Sequence, residues 1–213
     1  MTSTGTVKKK RGRPKSRTGP AGYKRIVEAL KSLLEEKSFQ EITWGEIARN
    51  AGVSEALIYQ YFKTRHGLLY SVLAEFLKEY KARIYISMEG SQGTLEKVKA
   101  FIGGLLALYN DNRVFARIIL LEVRNFPDYY ESEAYALTRD FGQKYLTILQ
   151  EGIESGEIRR DTPASRMRQV LLGGVEHAVL PYIIFQKEAD TEAITREITP
   201  LLLDAIRNRD NAS

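Results

Sequence analysis

Apolar residues recur at the i, i+3, i+4, i+7 spacing of an amphipathic helix along most of this chain. Tyr23, Ile26, Val27, Leu30, Leu33 and Leu34 form the first stripe and predict a helix over residues 22–37. Two short helices follow within 42–68. Leu68, Leu69, Val72, Leu73, Phe76, Leu77 and Tyr80 then predict a long helix over 64–88, closed by Glu89-Gly90-Ser91-Gln92-Gly93. Further stripes predict helices over 94–110, 112–125 and 129–156. Another starts at Asp161 or Thr162 as cap and reaches 186, and the last starts at Asp190 or Thr191. In 112–125, Phe115, Ile118, Ile119, Leu120 and Leu121 leave little polar surface, which predicts deep burial. Pro181 and Pro200 are expected to kink the last two helices. No stretch alternates as a strand, and no repeat or heptad run appears. The pattern predicts an all-α fold of about nine helices.

The two short helices carry the sharpest local signals. Thr43 with Glu46 three residues on reads as a capping box. Gly52 suits the left-handed position that closes a helix, and Ser54 caps the next one at once. Ile47, Ala48, Ala51, Val53, Ile58 and Phe62 supply a small core. Glu55, Ala56, Leu57, Tyr59 and Tyr61 are then expected on or near the outer surface. A short second helix presenting its N-terminal half outward is the geometry of a helix-turn-helix.

The run from Thr43 to Leu68, T-W-G-E-I-A-x-x-A-G-V-S-x-x-x-I-Y-x-Y-F-K-T-R-x-G-L, resembles the N-terminal signature of the TetR/AcrR family of bacterial transcriptional regulators. The resemblance implies DNA contacts by Thr43, Trp44, Tyr59, Tyr61, Lys63 and Arg65. Trp44 and Gly45 depart from the small polar and basic residues common at those places. The recognition helix offers no arginine or lysine at its exposed N-terminal positions to read guanine. Glu55 is instead placed to accept from a cytosine amine, and Ala56 and Leu57 to meet thymine methyls. The tyrosines suit phosphate contacts.

Charge adds a second nucleic-acid element. Residues 1–19 hold Lys8, Lys9, Lys10, Arg11, Arg13, Lys15 and Arg17 and no acid, so the net +5 of the whole chain is concentrated there. With Val7 as their one sizeable apolar residue, these residues cannot bury a core. Arg11-Gly12-Arg13-Pro14-Lys15 resembles an AT-hook, in which an extended arginine-glycine-arginine strand enters the narrow minor groove of A·T-rich DNA. The organisation expected is therefore a basic arm over 1–19, a helix-turn-helix domain over 20–68, and an effector-binding and dimerisation domain over 69–213. The long helix beginning near 64 is expected to be shared by the last two.

Other chemistries find little support. The chain has no cysteine, which suits a reducing cytoplasm and excludes thiolate metal sites. It contains no run of eighteen apolar residues and so no expected membrane span. His66 and His177 are its two histidines. Neither belongs to a metal-ligand spacing, and no nucleophile, phosphate-loop or dinucleotide motif appears, so no enzyme, cofactor or metal is expected. A small-molecule cavity is a better fit. Phe101, Leu105, Tyr109, Phe115, Phe141, Tyr145 and Tyr182 supply apolar walls, with Arg117, Arg124 and His177 as buried polar groups. A core that only packs these aromatics, with the arginines paired to Glu122 or Glu176, is the alternative.

The segments LLEVRNFPDYYESEAY, EGIESGEIRRD and LLGGVEH are similar to the C-terminal half of TetR-type repressors of fatty-acid degradation, which respond to long-chain acyl-CoA. That resemblance implies a cytoplasmic homodimer on a palindromic double-stranded operator, its last two helices forming the dimer interface. It further implies repression relieved by an apolar or amphipathic effector such as acyl-CoA. The competing reading is an architectural DNA-binding protein whose arm dominates and whose C-terminal domain only dimerises.

Overall fold

The computed structural model describes residues 20–185, 187 and 190–209. The basic arm, and with it Arg11, Arg13 and Lys15, lies outside the described residues. Nine α-helices are present among the described residues, with no strand longer than one bridge, between Ile158 and Arg207. The chain divides into two compact units, the first ending at Arg65 and the second running from His66 to Ser213.

In the first unit, α1 (Pro20–Glu36) packs on α2 (Trp44–Ala51) and α3 (Glu55–Phe62). Ile26, Leu30, Leu34, Ile42, Ile47 and Ile58 are fully buried and make its core. Tyr23 closes one side, its ring 5.2 Å from that of Phe62. Burying such aliphatic side chains stabilises by about 1.5–3 kcal/mol each against the ordering entropy of so small a unit.

The second unit takes in α4 (Arg65–Glu89), α5 (Thr94–Asp111), α6 (Arg113–Arg117), α7 (Glu133–Ser155), α8 (Ala164–Ile184) and α9 (Thr191–Ile206). The Arg65/His66 division falls in the first turn of α4. Helix α5 is central, packing on α7, α8 and α9. It meets α4 closely at Gly104, where a Cβ would stand 2.5 Å from Ile84. Gly152 of α7 is equally crowded, by Ile158 and Thr94.

Three expectations need correction. The helix expected over 112–125 is broken. After α6 comes a π-helical turn at Ile118–Glu122 and a 3₁₀ turn at Val123–Asn125. Ile118, Ile119, Leu120 and Val123 are all buried, so no single helical face could hold them, and the wider π turn spreads them over more of the circumference. Helix α7 starts at Glu133 and not near 129, because Pro127 opens a separate 3₁₀ turn (Pro127–Glu131) and Ser132 accepts from Tyr135 N–H at 3.2 Å as N-cap. Helix α8 is capped by neither Asp161 nor Thr162. Arg159 claims the Asp161 carboxylate, and Pro163 enters the helix in an extended conformation without a side-chain cap. Asp190 does cap α9, accepting from Ala193 N–H at 2.9 Å.

Candidate DNA-reading helix and effector chamber

The turn between α2 and α3 is built as its sequence requires. Thr43 Oγ1 accepts from Glu46 N–H at 3.3 Å, and the Glu46 carboxylate accepts from Thr43 N–H at 2.8 Å. Lys37 adds an ion pair to the same carboxylate. Lys37 first, then the two Thr43 bonds, holds the Glu46 carboxyl down at about 2. Gly52 adopts φ 62°, ψ 42°, and Ser54 Oγ accepts from Leu57 N–H at 3.3 Å.

This turn fixes which face of α3 is outward. Glu55, Ala56, Tyr59 and Lys63 are exposed, with Tyr59 at 60% and the Lys63 ammonium over its ring. Gln60 shares that face, one turn beyond Ala56, and was missed by sequence reasoning although its i+4 spacing marks it. A glutamine there can bond adenine bidentately. Leu57 is a correction. It is buried in the unit's core and cannot present itself to a thymine methyl. Thr43 is exposed, while Trp44, Gly45 and Tyr61 are half-buried. A Cβ on Gly45 would stand 3.3 Å from the Glu55 carboxylate, so that carboxylate lies beside the start of α2. Arg65 is turned to structure. Its guanidinium donates to the Phe39 carbonyl and lies over the Phe39 ring.

The second unit contains a partly open cavity of about 90 Å³. Of the ten ligand-contact candidates, Phe101, Leu105, Tyr109, Arg124 and Phe141 line it. Leu77 from α4, Leu108 from α5, Ile119 from the π turn and Leu172 from α8 add to its apolar wall. These four were missed, because single aliphatic residues in a stripe carry no sign of which side of the core they face. Arg124 makes a two-pronged pair with Glu176, at 3.0 and 2.8 Å, on the polar side of the chamber. Burial first, then the Glu176 charge, pushes the Tyr109 hydroxyl pKa up, so it stays neutral.

The other five candidates do not line the chamber. Phe115 stacks on Phe76 at 4.7 Å in the core. Arg117 Nε stands 3.1 Å from Glu122, an ion pair without hydrogen-bond alignment. His177 is exposed on α8 and is not the buried polar group expected, because its register sets it away from Val175 and Val179. Tyr182 is half-buried on the same helix. Tyr145 is fully buried, stacked on Phe101 at 4.3 Å, and its hydroxyl has no hydrogen-bond partner among the described residues.

A capped helix-turn-helix joined through α4 to a helical domain around an apolar chamber defines a class, the ligand-responsive DNA-binding regulators. Family comparison agrees. A family model described as bacterial regulatory proteins of the tetR family matches residues 26–72. A tetracyclin repressor-like C-terminal domain matches residues 91–179. The chain belongs to the tetR family of bacterial transcriptional regulators, which does not favour the architectural reading. Among individual relatives, it is 24% identical over 187 residues to the fatty acid metabolism regulator protein of Bacillus subtilis, covering 88% of this chain and 96% of that protein. A solved structure of the regulator FadR from Bacillus subtilis in complex with stearoyl-CoA superposes with a TM-score of 0.77 at 24% identity, covering 87% of this chain and all of the other. The fatty acid degradation regulator FadR from Bacillus halodurans gives 0.76 at 22% identity, covering 90% and 99%. Among the described residues no helix is long and apolar enough to cross a membrane.

Proposed function

We propose that this protein is a dimeric repressor that binds a palindromic operator and is released by a long-chain acyl thioester. The observation that carries the reading is the mainly apolar chamber lined on one side by the Arg124–Glu176 pair, in a fold shared with a regulator solved around stearoyl-CoA. Each methylene moved from water into such a chamber contributes about 0.8 kcal/mol, so a long chain supplies ample affinity.

The chamber's size supplies the switch. At about 90 Å³ the chamber is too small for a long acyl chain. A long acyl chain therefore binds only if the wall moves. The segment able to move is the π and 3₁₀ stretch that carries Ile119 and Arg124, since it lacks a regular helical ladder. The next turn of that stretch holds α4. Asp128 accepts from the Tyr70 hydroxyl at 3.0 Å and lies 3.4 Å from His66 Nδ1, in the first two turns of α4. Chain expansion that shifts Asp128 alters the start of the helix that leads directly into the DNA-reading unit. Release requires only that effector prefer the expanded conformer, and a preference of about 1–3 kcal/mol changes operator affinity about 5- to 150-fold.

Dimerisation follows from the apolar surface of the last helices. Val170, Phe185 and Leu201 are exposed by 55%, 66% and 70%, more apolar surface than α8 and α9 would leave to water. A two-fold pair reads two half-sites about 34–36 Å apart, and the basic arms add grip on A·T-rich flanks. Operator binding by a DNA duplex selected from random sequence, with and without palmitoyl-CoA at fixed salt, tests the proposal. A palindrome that is released by the thioester supports it, and a palindrome indifferent to every chain length refutes the effector.

A further inference from the structure

Glu55 is the one charged residue of α3, and it stands on the outward face with Ala56, Tyr59 and Gln60. Its side chain is exposed, and its carboxylate enters no ion pair or hydrogen bond among the described residues. That carboxylate lies beside the first turn of α2, one oxygen 3.3 Å from where a Gly45 Cβ would stand. A side chain at 45 would press on that oxygen, and glycine leaves the space open to it. The other carboxylate at this end of α2, Glu46, is neutralised by Lys37. Glu55 therefore brings an uncompensated negative charge to the face of the helix-turn-helix that meets DNA. Attraction is supplied elsewhere. Lys63 closes α3, and the seven cations of residues 1–19 draw in any duplex regardless of its sequence.

We propose that Glu55 is a filter against unselected DNA: its carboxylate disfavours every duplex that does not set a major-groove amine before it, and so widens the gap between operator and random sequence. This rests on the operator reading above. Duplex DNA carries one phosphate charge about every 1.7 Å along its axis, so a carboxylate brought against it is repelled whatever the sequence. The same carboxylate sheds water on docking, which is costly without a donor to replace it. Cytosine offers that donor in its N4 amine. Guanine and thymine turn carbonyl acceptors toward the groove, and adenine sets its N7 acceptor beside its amine. The charge thus lowers affinity for all DNA but lowers it least at the operator. Discrimination of this kind works by penalising the wrong partner, and it offsets the indiscriminate pull of the basic arm. Two-fold symmetry applies the penalty twice per dimer.

The test is fluorescence anisotropy of the full chain on a duplex selected from random sequence and on a random duplex of equal length, over a series of salt concentrations. Wild-type protein is expected to prefer the selected duplex. Glu55→Gln keeps the size of an exposed side chain and removes its charge, and its folding is checked by thermal melting. It should bind the random duplex about 2- to 30-fold more tightly, with a steeper salt dependence, and gain nothing on the selected duplex. Glu55→Ala, which removes the acceptor as well, should show the same gain on random DNA and a loss on the selected duplex. Equal gains on both duplexes would mean that only net charge matters, and unchanged or weaker random binding would mean that the carboxylate does not oppose DNA. Either result overturns the inference while the operator reading stands. If wild-type protein prefers no selected duplex, the operator reading falls and the inference with it, before any variant is compared.

Discussion

Replacing Tyr145 by phenylalanine should make the free protein more stable. The ring is fully buried against Phe101, and its hydroxyl has no hydrogen-bond partner among the described residues. Burial also pushes that phenol's pKa up, so ionisation offers no relief. An unsatisfied buried hydroxyl costs about 1–3 kcal/mol. Deleting the oxygen leaves a gap of at most about 15 Å³, which at about 24 cal/mol per Å³ costs about 0.4 kcal/mol. The net gain is about 1–2.5 kcal/mol. For a chain of this length each kcal/mol raises Tm by about 2–4 °C, so Tyr145→Phe should melt about 2–10 °C higher by scanning calorimetry at fixed protein concentration. A lower Tm for the free variant would show that the hydroxyl is satisfied in the fold.

Neighbouring glycines of α5 should respond oppositely to alanine. A Cβ at Gly103 meets nothing within 4 Å, so Gly103→Ala should stabilise by about 0.5–1 kcal/mol, whereas Gly104→Ala would press within 2.5 Å of Ile84 and should destabilise by about 1–2 kcal/mol in urea titration. Glu46→Gln removes the charge that holds Lys37 while leaving a side-chain oxygen for the Thr43 N–H, and should weaken operator binding and lower Tm. The Glu46 carboxyl sits at about 2 in the fold against 4.5 ordinarily, so its contribution is present above about pH 4.5 and lost as pH falls toward 2. Acid titration should therefore narrow the gap between wild type and Glu46→Gln. Gln60→Ala should relax operator preference at one base-pair position by about 1–3 kcal/mol without changing the salt slope, while Lys63→Ala should weaken all sequences alike and lower that slope by about one in a selected-duplex binding series.

What could be read from the residues alone was local. Thr43, Glu46, Gly52 and Ser54 announce their roles because caps and left-handed turns are settled within four residues of chain. Helix stripes announce α1, α4 and α5 for the same reason. Leu57 and His177 were misplaced because their fates are tertiary. Leu57 differs from Ala56 only in which side of a two-turn helix meets α1 and α2. Arg65 finds a carbonyl twenty-six residues earlier in the chain. The registers of α7 and α8 decide that Phe141 lines the chamber and His177 faces out, and no periodicity of one helix reveals the rotation of its neighbour. The π turn was hidden for a related reason. An apolar run reads the same whether its helix is regular or holds one extra residue in a turn.

The central claim is that an acyl chain and the operator compete through one protein. The most direct test is the operator affinity of wild-type protein on a selected palindromic duplex, titrated with palmitoyl-CoA at constant ionic strength, alongside Leu105→Trp. The account predicts that palmitoyl-CoA lowers wild-type affinity about 5- to 150-fold and that the filled chamber keeps its operator at every thioester concentration. Release of the Leu105→Trp variant at the wild-type concentration of palmitoyl-CoA would contradict it, since the chain would then be acting somewhere other than the chamber.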